Sequence, residues 1–253
     1  MPTYQQRLTE QNLREEIVRI GQLLWQKNYL AAGDGNISAR LAPDRLIATP
    51  SGLSKGFLKP EQLLITDMDG HKITTFAAEA RGLEPSSELK MHLEVYRQRP
   101  DVAAIVHAHP PTCIALSIAG VPVAPCLLPE VVLTLGSIPI APYATPGTWE
   151  VPEAVRDLIR NHDAIILARH GSLTVGHDLF AAYLKQERIE HAAQITFLLR
   201  LLNKESQPIP PQEMEKLLNI AQTQGMLSEH LLQETCVQCG LCSTAHNLKG
   251  GTP

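Results

Sequence analysis

The chain has 253 residues, 44% hydrophobic and 19% charged, which is enough apolar material to bury one large core. A formal net charge of −4 leaves no basic excess for gripping a nucleic-acid backbone. No apolar run approaches the ~18 residues of a membrane span, and Met1-Pro2-Thr3-Tyr4-Gln5-Gln6-Arg7 lacks the basic-then-apolar layout of a secretion signal.

Leu13, Ile17, Ile20 and Leu24 recur at helical spacing, so residues 8–30 are expected to form a first helix. It stops at the loop Ala31-Ala32-Gly33-Asp34-Gly35-Asn36, whose glycines allow positive φ and outward backbone N–H groups. Ile37–Leu41 and Arg45–Thr49 read as strands. The second runs into another small-residue loop, Pro50-Ser51-Gly52-Leu53-Ser54-Lys55-Gly56. Residues 63–67 and 71–73 read as a hairpin around Asp69-Gly70. Glu84-Pro85-Ser86-Ser87-Glu88 opens a helix over 88–97. Paired serines at a helix start suit an anion. Glu88 alone is also explained as a carboxylate complementing the helix dipole.

Val102–Val106 reads as a buried strand leading into His107-Ala108-His109-Pro110, with a short helix over 111–119 beyond it. Leu127–Val132 and Ile138–Pro142, rich in proline, are expected to be irregular or edge strands. A turn at 145–148 precedes a helix over 151–161. Strands at 164–168 and 173–175 flank Arg169-His170-Gly171-Ser172, and a long helix covers 178–202. Residues 203–211 read as a linker, with helices over 212–222 and 228–235 and a frayed end from Asn247. This interleaving gives an α/β class with one domain over 1–202, followed by a linker, short helices and a cysteine-containing tail over 203–253.

Histidines at i and i+2 on a strand share a face. His107 and His109 are therefore two-thirds of a catalytic zinc site, which has three protein ligands and one open position. Alone, such a pair is equally well a structural feature. His170 supplies a third candidate, at the end of a buried strand and before a glycine where the backbone can turn. His92 and His191 lie inside amphipathic helices and read as packing or solvent-facing residues. The others, His71, His162, His177, His230 and His246, lie near turns, element ends or the tail.

Six motifs appear in order: Gly35-Asn36-Ile37-Ser38, Thr49-Pro50-Ser51-Gly52, Pro85-Ser86-Ser87-Glu88, His107-Ala108-His109-Pro110, Ala141-Pro142-Tyr143 and His170-Gly171. Over roughly residues 8–202 the chain resembles the class II aldolase/adducin family, in its fuculose-phosphate aldolase branch. The resemblance implies a central, mostly antiparallel sheet flanked by helices and a homotetramer with sites between subunits. It implies Zn2+, or another divalent metal such as Mn2+ or Co2+, on His107, His109 and His170. It also implies Glu88 as acid/base, touching the metal when substrate is absent. A phosphate would be held through Gly35, Asn36, Ser51, Gly52, Ser86 and Ser87.

The activity so implied is reversible cleavage of a ketose 1-phosphate to dihydroxyacetone phosphate and an aldehyde. Alternatives on the same fold are a sugar-acid phosphate decarboxylase, a dehydratase, a pentulose-phosphate 4-epimerase and a non-catalytic adducin-like binding protein. The epimerase branch typically carries Asp where this chain has Glu88. All three histidines together with Glu88 argue against a mere scaffold. One departure stands out. The aldolase branch uses a neighbouring subunit's tyrosine as proton donor, and about that place this chain has Leu128. Glu130 is a substitute donor or simply a polar residue.

Five cysteines, Cys113, Cys126, Cys236, Cys239 and Cys242, are odd in number and show no disulfide-like spread. They point to a reducing compartment and a cytoplasmic protein. Cys236, Cys239 and Cys242, with His246, have chelating spacing. The other reading is a flexible tail carrying reducible thiols.

Overall fold

The computed structural model describes residues 4–73, 78–123, 125–203 and 207–241. Seven strands form one sheet in the order β3-β2-β1-β4-β7-β6-β5. They are β1 (Asn36–Ala42), β2 (Arg45–Ala48), β3 (Leu64–Asp67), β4 (Ala104–Ala108), β5 (Ile140–Ala141), β6 (Ala164–Leu167) and β7 (Gly171–Gly176). Every neighbouring pair is antiparallel except β5 with β6. The expected mostly antiparallel sheet flanked by helices is therefore observed.

Alternation along the strands decides which helices cover which face. Ile37, Ala39, Ala104 and Val106 pack with Ile17, Ile20 and Leu24 of α1 (Tyr4–Gln26), and with Leu179 and Ala182 of α6 (Leu179–Leu201). Leu46, Ile105, Leu173 and Val175 point the other way. They meet α2 (Leu89–Gln98) and α5 (Glu150–Ile159). Asp178 caps α6, its side chain accepting from Ala181 N at 2.7 Å. The hairpin around Gly70 forms as expected, with Ile73 N donating to Ile65 O at 2.8 Å.

One local expectation fails. Residues 129–134 are not strand but helix α4 (Pro129–Thr134), following α3 (Pro111–Ile118) in the chain. Pro129 occupies the first turn, where a missing N–H is harmless and a fixed φ favours the helix. Only Ile140-Ala141 keeps the edge-strand role.

The chain beyond the linker packs back. Helices α7 (Pro211–Thr223) and α8 (Glu229–Gln238) bury Met214, Leu218, Ala221 and Leu232 against Val132 of α4. Glu234 of α8 accepts from Ser137 Oγ at 2.9 Å and lies 2.9 Å from His162 Nε2. Cys126 and Cys239 form a disulfide, and Cys236 is disulfide-bonded as well. This corrects the reading of the cysteines as free thiols. They lie 113 residues apart in sequence, but packing of α8 near α4 brings their Cα atoms to 5.7 Å. It also removes Cys236 and Cys239 as metal-binding thiolates; Cys242 and His246 lie outside the described residues. The inference of a reducing compartment loses its basis with the same finding. Among the described residues, no helix is long and apolar enough to cross a membrane.

Candidate active site

The site forms where the C-terminal end of β4 meets the starts of β1, β7 and α2. His107 is fully buried on β4, on the sheet face carrying α2. His109 lies just past the strand on the same side, so the two-residue period does what the sequence spacing required. His170 sits in the tight connection between β6 and β7, with its N–H donating to Leu167 O at 3.1 Å. Ring centroids of the three imidazoles lie 4.8–4.9 Å from one another.

Gly171 makes this convergence possible by size rather than by a turn. A Cβ there would stand 2.3 Å from Ala108 O and 3.0 Å from His109 Cδ2. The positive φ of 62° belongs instead to Arg169. Glycine is thus demanded by close approach of β7 to β4.

Glu88 stands at the N-cap of α2, yet its side chain caps nothing. It reaches across to the histidines. Oε1 lies 3.1 Å from His170 Nε2, and Oε2 lies 3.4 Å from His107 Nε2. Asn36, paired with His107 across β1 and β4, donates Nδ2 to Glu88 Oε2 at 2.8 Å. Burial opposes the charge on Glu88. The two imidazoles outweigh it and hold the carboxyl well below the usual carboxylate range. Burial, followed by the fields of His107 and His170, lowers His109 from 6.5 to about 3.

The donor set fits a divalent cation. His107 Nδ1 donates to Ser172 O at 2.9 Å, which leaves a lone pair on Nε2. His109 Nδ1 faces the Asp34 carboxylate at 3.5 Å. The Nε2 atoms of these two rings then converge to 3.1 Å. Nitrogens bound to one tetrahedral zinc at ~2.0–2.1 Å sit about 3.3 Å apart. Ligand atoms of Glu88, His107, His109 and His170 all lie within 4.8 Å of one another. Asn36 Oδ1 is buried without a hydrogen bond, as expected of a group waiting for a ligand.

Beside them opens a cavity of about 370 Å³. Gly35, Asn36, Ser51, Gly52, Ser86 and Ser87 all line it, as do Glu88, His109 and His170. The loops are stitched together by a bridge between Pro50 and Pro85 and by Ser51 N donating to Glu84 O at 2.9 Å.

Residues 15–197 match the model of the family described as Class II Aldolase and Adducin N-terminal domain. The chain belongs to that family. The 3-oxo-tetronate 4-phosphate decarboxylase of Escherichia coli K12 is 34% identical over 194 residues, covering 75% of this chain and 88% of the relative. The L-fuculose phosphate aldolase of Methanococcus maripaludis, strain S2, is 34% identical over 187 residues, covering 74% and 97%. Among solved structures, YgbL of Klebsiella pneumoniae, a candidate aldolase/epimerase/decarboxylase, is 33% identical with a TM-score of 0.74, covering 82% and 98%.

Against this family background, three neighbours of the site went unread in the sequence. Asp34 faces His109. Lys55 lines the cavity, although in the sequence it was only a cation in a loop. His92 is buried, its Nδ1 2.7 Å from Ser38 Oγ, which in turn is 3.0 Å from Tyr96 OH. A period-3.6 pattern places His92 on a helix but gives no sign of the serine facing it from β1. Conversely, neither Leu128 nor Glu130 lines the cavity, and Glu130 is exposed on α4.

Proposed function

We propose that this family member is a metal-dependent lyase that breaks the carbon–carbon bond one carbon removed from the carbonyl of a phosphorylated sugar or sugar acid. The first reading is cleavage of a ketose 1-phosphate, L-fuculose 1-phosphate-like, to dihydroxyacetone phosphate and an aldehyde. The observation that carries it is the convergence of Glu88 with three histidines beside a cavity lined by small hydroxyl-bearing loops.

Zn2+ or another divalent metal held by His107, His109 and His170 would act as a Lewis acid for the negative charge left when the bond breaks. Ser172 O fixes the His107 ring and Asp34 faces the His109 ring, so both present Nε2. Asn36 holds the Glu88 carboxylate by Nδ2. From there Glu88 carries the proton to and from the carbon that keeps the electron pair. The loops at 35–36, 51–52 and 86–87 offer N–H and hydroxyl donors to a phosphate, whose binding orients the reacting carbons.

A specific observation favours a second reading. Retro-aldol cleavage moves two protons, one off the hydroxyl that becomes the aldehyde and one onto carbon. Decarboxylation of a 3-oxo acid moves only the second, because the leaving carboxylate carries no proton. At about the place where the aldolase branch carries the tyrosine it lends to a neighbouring subunit this chain has Leu128, whose side chain has no proton to give. A 3-oxo-tetronate 4-phosphate that loses carbon dioxide also becomes dihydroxyacetone phosphate. The two readings therefore share the metal, Glu88 and the phosphate cradle, and differ in the departing fragment and in the extra proton that the aldehyde route must move.

A panel of ketose 1-phosphates and 3-oxo sugar-acid phosphates, incubated with metal-loaded protein, separates them. Aldehyde with dihydroxyacetone phosphate supports the first reading. Carbon dioxide with dihydroxyacetone phosphate supports the second. Formation of neither product class across the panel would overturn carbon–carbon cleavage. A homotetramer with shared sites completes the proposal, and sedimentation of the purified chain tests the assembly.

A further inference from the structure

Lys55 opens a single 3-10 turn, Lys55–Phe57, and is only 2% exposed. A lysine is almost never buried to this degree unless its charge is paired. Its Nζ donates to Gly33 O, which uses one of three ammonium hydrogens. Among the described residues it makes no ion pair with a carboxylate. Burial lowers its pKa, while the Asp34 and Glu88 carboxylates act in the opposite direction and favour its charge.

The backbone of this lysine is held by a costly choice elsewhere. Gly21 lies in the middle of α1, where glycine destabilises a helix relative to alanine. A Cβ at Gly21 would stand 2.4 Å from Lys55 O. The helix thus carries a glycine at the point where the lysine turn packs against it.

Lys55 is the only Lys or Arg among the cavity-lining residues described. The other donors there, Asn36, Ser51, Ser86 and Ser87, are neutral, and the cavity also holds the carboxylates of Asp34 and Glu88. A phosphate dianion entering beside two carboxylates needs a compensating cation, and His109 and His170 line the same cavity. We propose that Lys55 is the phosphate-selecting residue. In this proposal its two remaining ammonium hydrogens bind the substrate's phosphate dianion, so that the unphosphorylated sugar is discriminated against at this position. This rests on reading the small-residue loops as a phosphate cradle.

Calorimetry on the metal-loaded full chain tests it, with dihydroxyacetone phosphate, dihydroxyacetone and inorganic phosphate as probes. Lys55→Met is expected to weaken dihydroxyacetone phosphate roughly 10- to 100-fold, the range for a lost charge-assisted hydrogen bond. Dihydroxyacetone affinity and metal content should be unchanged. Equal binding of dihydroxyacetone phosphate by wild type and variant would overturn the role of Lys55 and leave the cradle standing. So would equal weakening of both ligands, which marks a merely structural lysine. A wild type that binds neither dihydroxyacetone phosphate nor inorganic phosphate would overturn the cradle itself. Should Lys55→Met fail to fold, the 15N resonance of the Lys55 ammonium in wild type decides. A shift on adding phosphate supports the assignment, and an unmoved resonance overturns it.

Discussion

At the scale of single residues, the site is a cluster of groups whose burial is costly unless they share a ligand. Three imidazoles and a carboxylate converge from three chain segments, the end of β4, the β6–β7 connection and the start of α2. The inward lone pair of His107 is set by its bond to a backbone carbonyl. We expect purified protein to hold about one divalent ion per chain, the count for a single three-histidine site. The His107→Ala/His109→Ala double variant should hold none, and elemental analysis reads both. A folded, metal-free wild type with full activity would remove the basis of the mechanism. Glu88 makes no cap to α2, so Glu88→Gln should leave helix content and metal unchanged. Turnover should fall by about 100-fold or more, the usual contribution of a positioned acid/base. Unchanged turnover would return Glu88 to the role of a helix-start residue.

At the scale of elements, the informative pair is α4 with α8. The sequence marks residues after 202 as a linker with short helices, and the family match ends at 197. The structure adds that these helices cover α4 and are joined to the segment before it by the Cys126–Cys239 disulfide. Closing so long a loop restricts the unfolded chain, and such bonds typically contribute about 2–4 kcal/mol. Reductant, or Cys239→Ser, is therefore expected to lower the melting temperature. Metal content should not change, because the cavity lining ends at His170. Thermal melts with parallel metal analysis check both halves. A melting temperature indifferent to reductant would show that the packing of α7 and α8 alone holds this unit.

At the scale of the whole molecule, the buried histidines tie folding to pH. His92 is enclosed between α2 and β1, and burial, then the field of His107, lowers it from 6.5 to about 3. Between these values the unfolded chain takes up a proton that the folded chain refuses. Stability from this group is therefore complete above pH 6.5 and declines as pH falls toward 3. In metal-free protein, the urea midpoint should drop over that interval, and His92→Gln should flatten the drop. A profile identical in wild type and variant would assign the acid sensitivity to other groups, His109 first among them.

The local patterns were sufficient for much of this. Period-3.6 apolar spacing located α1 and α6, helix-start residues located α2, and buried runs located β4 and β6, because burial of one stripe or one short run is written in consecutive residues. Motif order picked out the His107/His109 pair, His170, Glu88 and the six loop residues, and the structure brings the loop residues, Glu88, His109 and His170 to one cavity. Misreadings fell where distant packing decides. Pro129 reads equally as a strand breaker and as a helix start, and only the docking of α4 against α7 and α8 selects the second. Cys126 and Cys239 carry no local sign of pairing across 113 residues. Lys55 and His92 look like an ordinary loop cation and an ordinary helix histidine until the cavity and Ser38 stand beside them.

What the sequence determined by itself was the family, most of the elements and the chemical inventory of the candidate site, since these depend on residue type and short-range spacing. What only the tertiary structure decided was convergence. Glu88 turns away from its own helix toward β4, Gly171 lets two strands close on the histidines, and Lys55 enters the cavity with its charge unpaired. Each outcome depends on atoms far apart in the chain excluding, or failing to exclude, one another's volume and water.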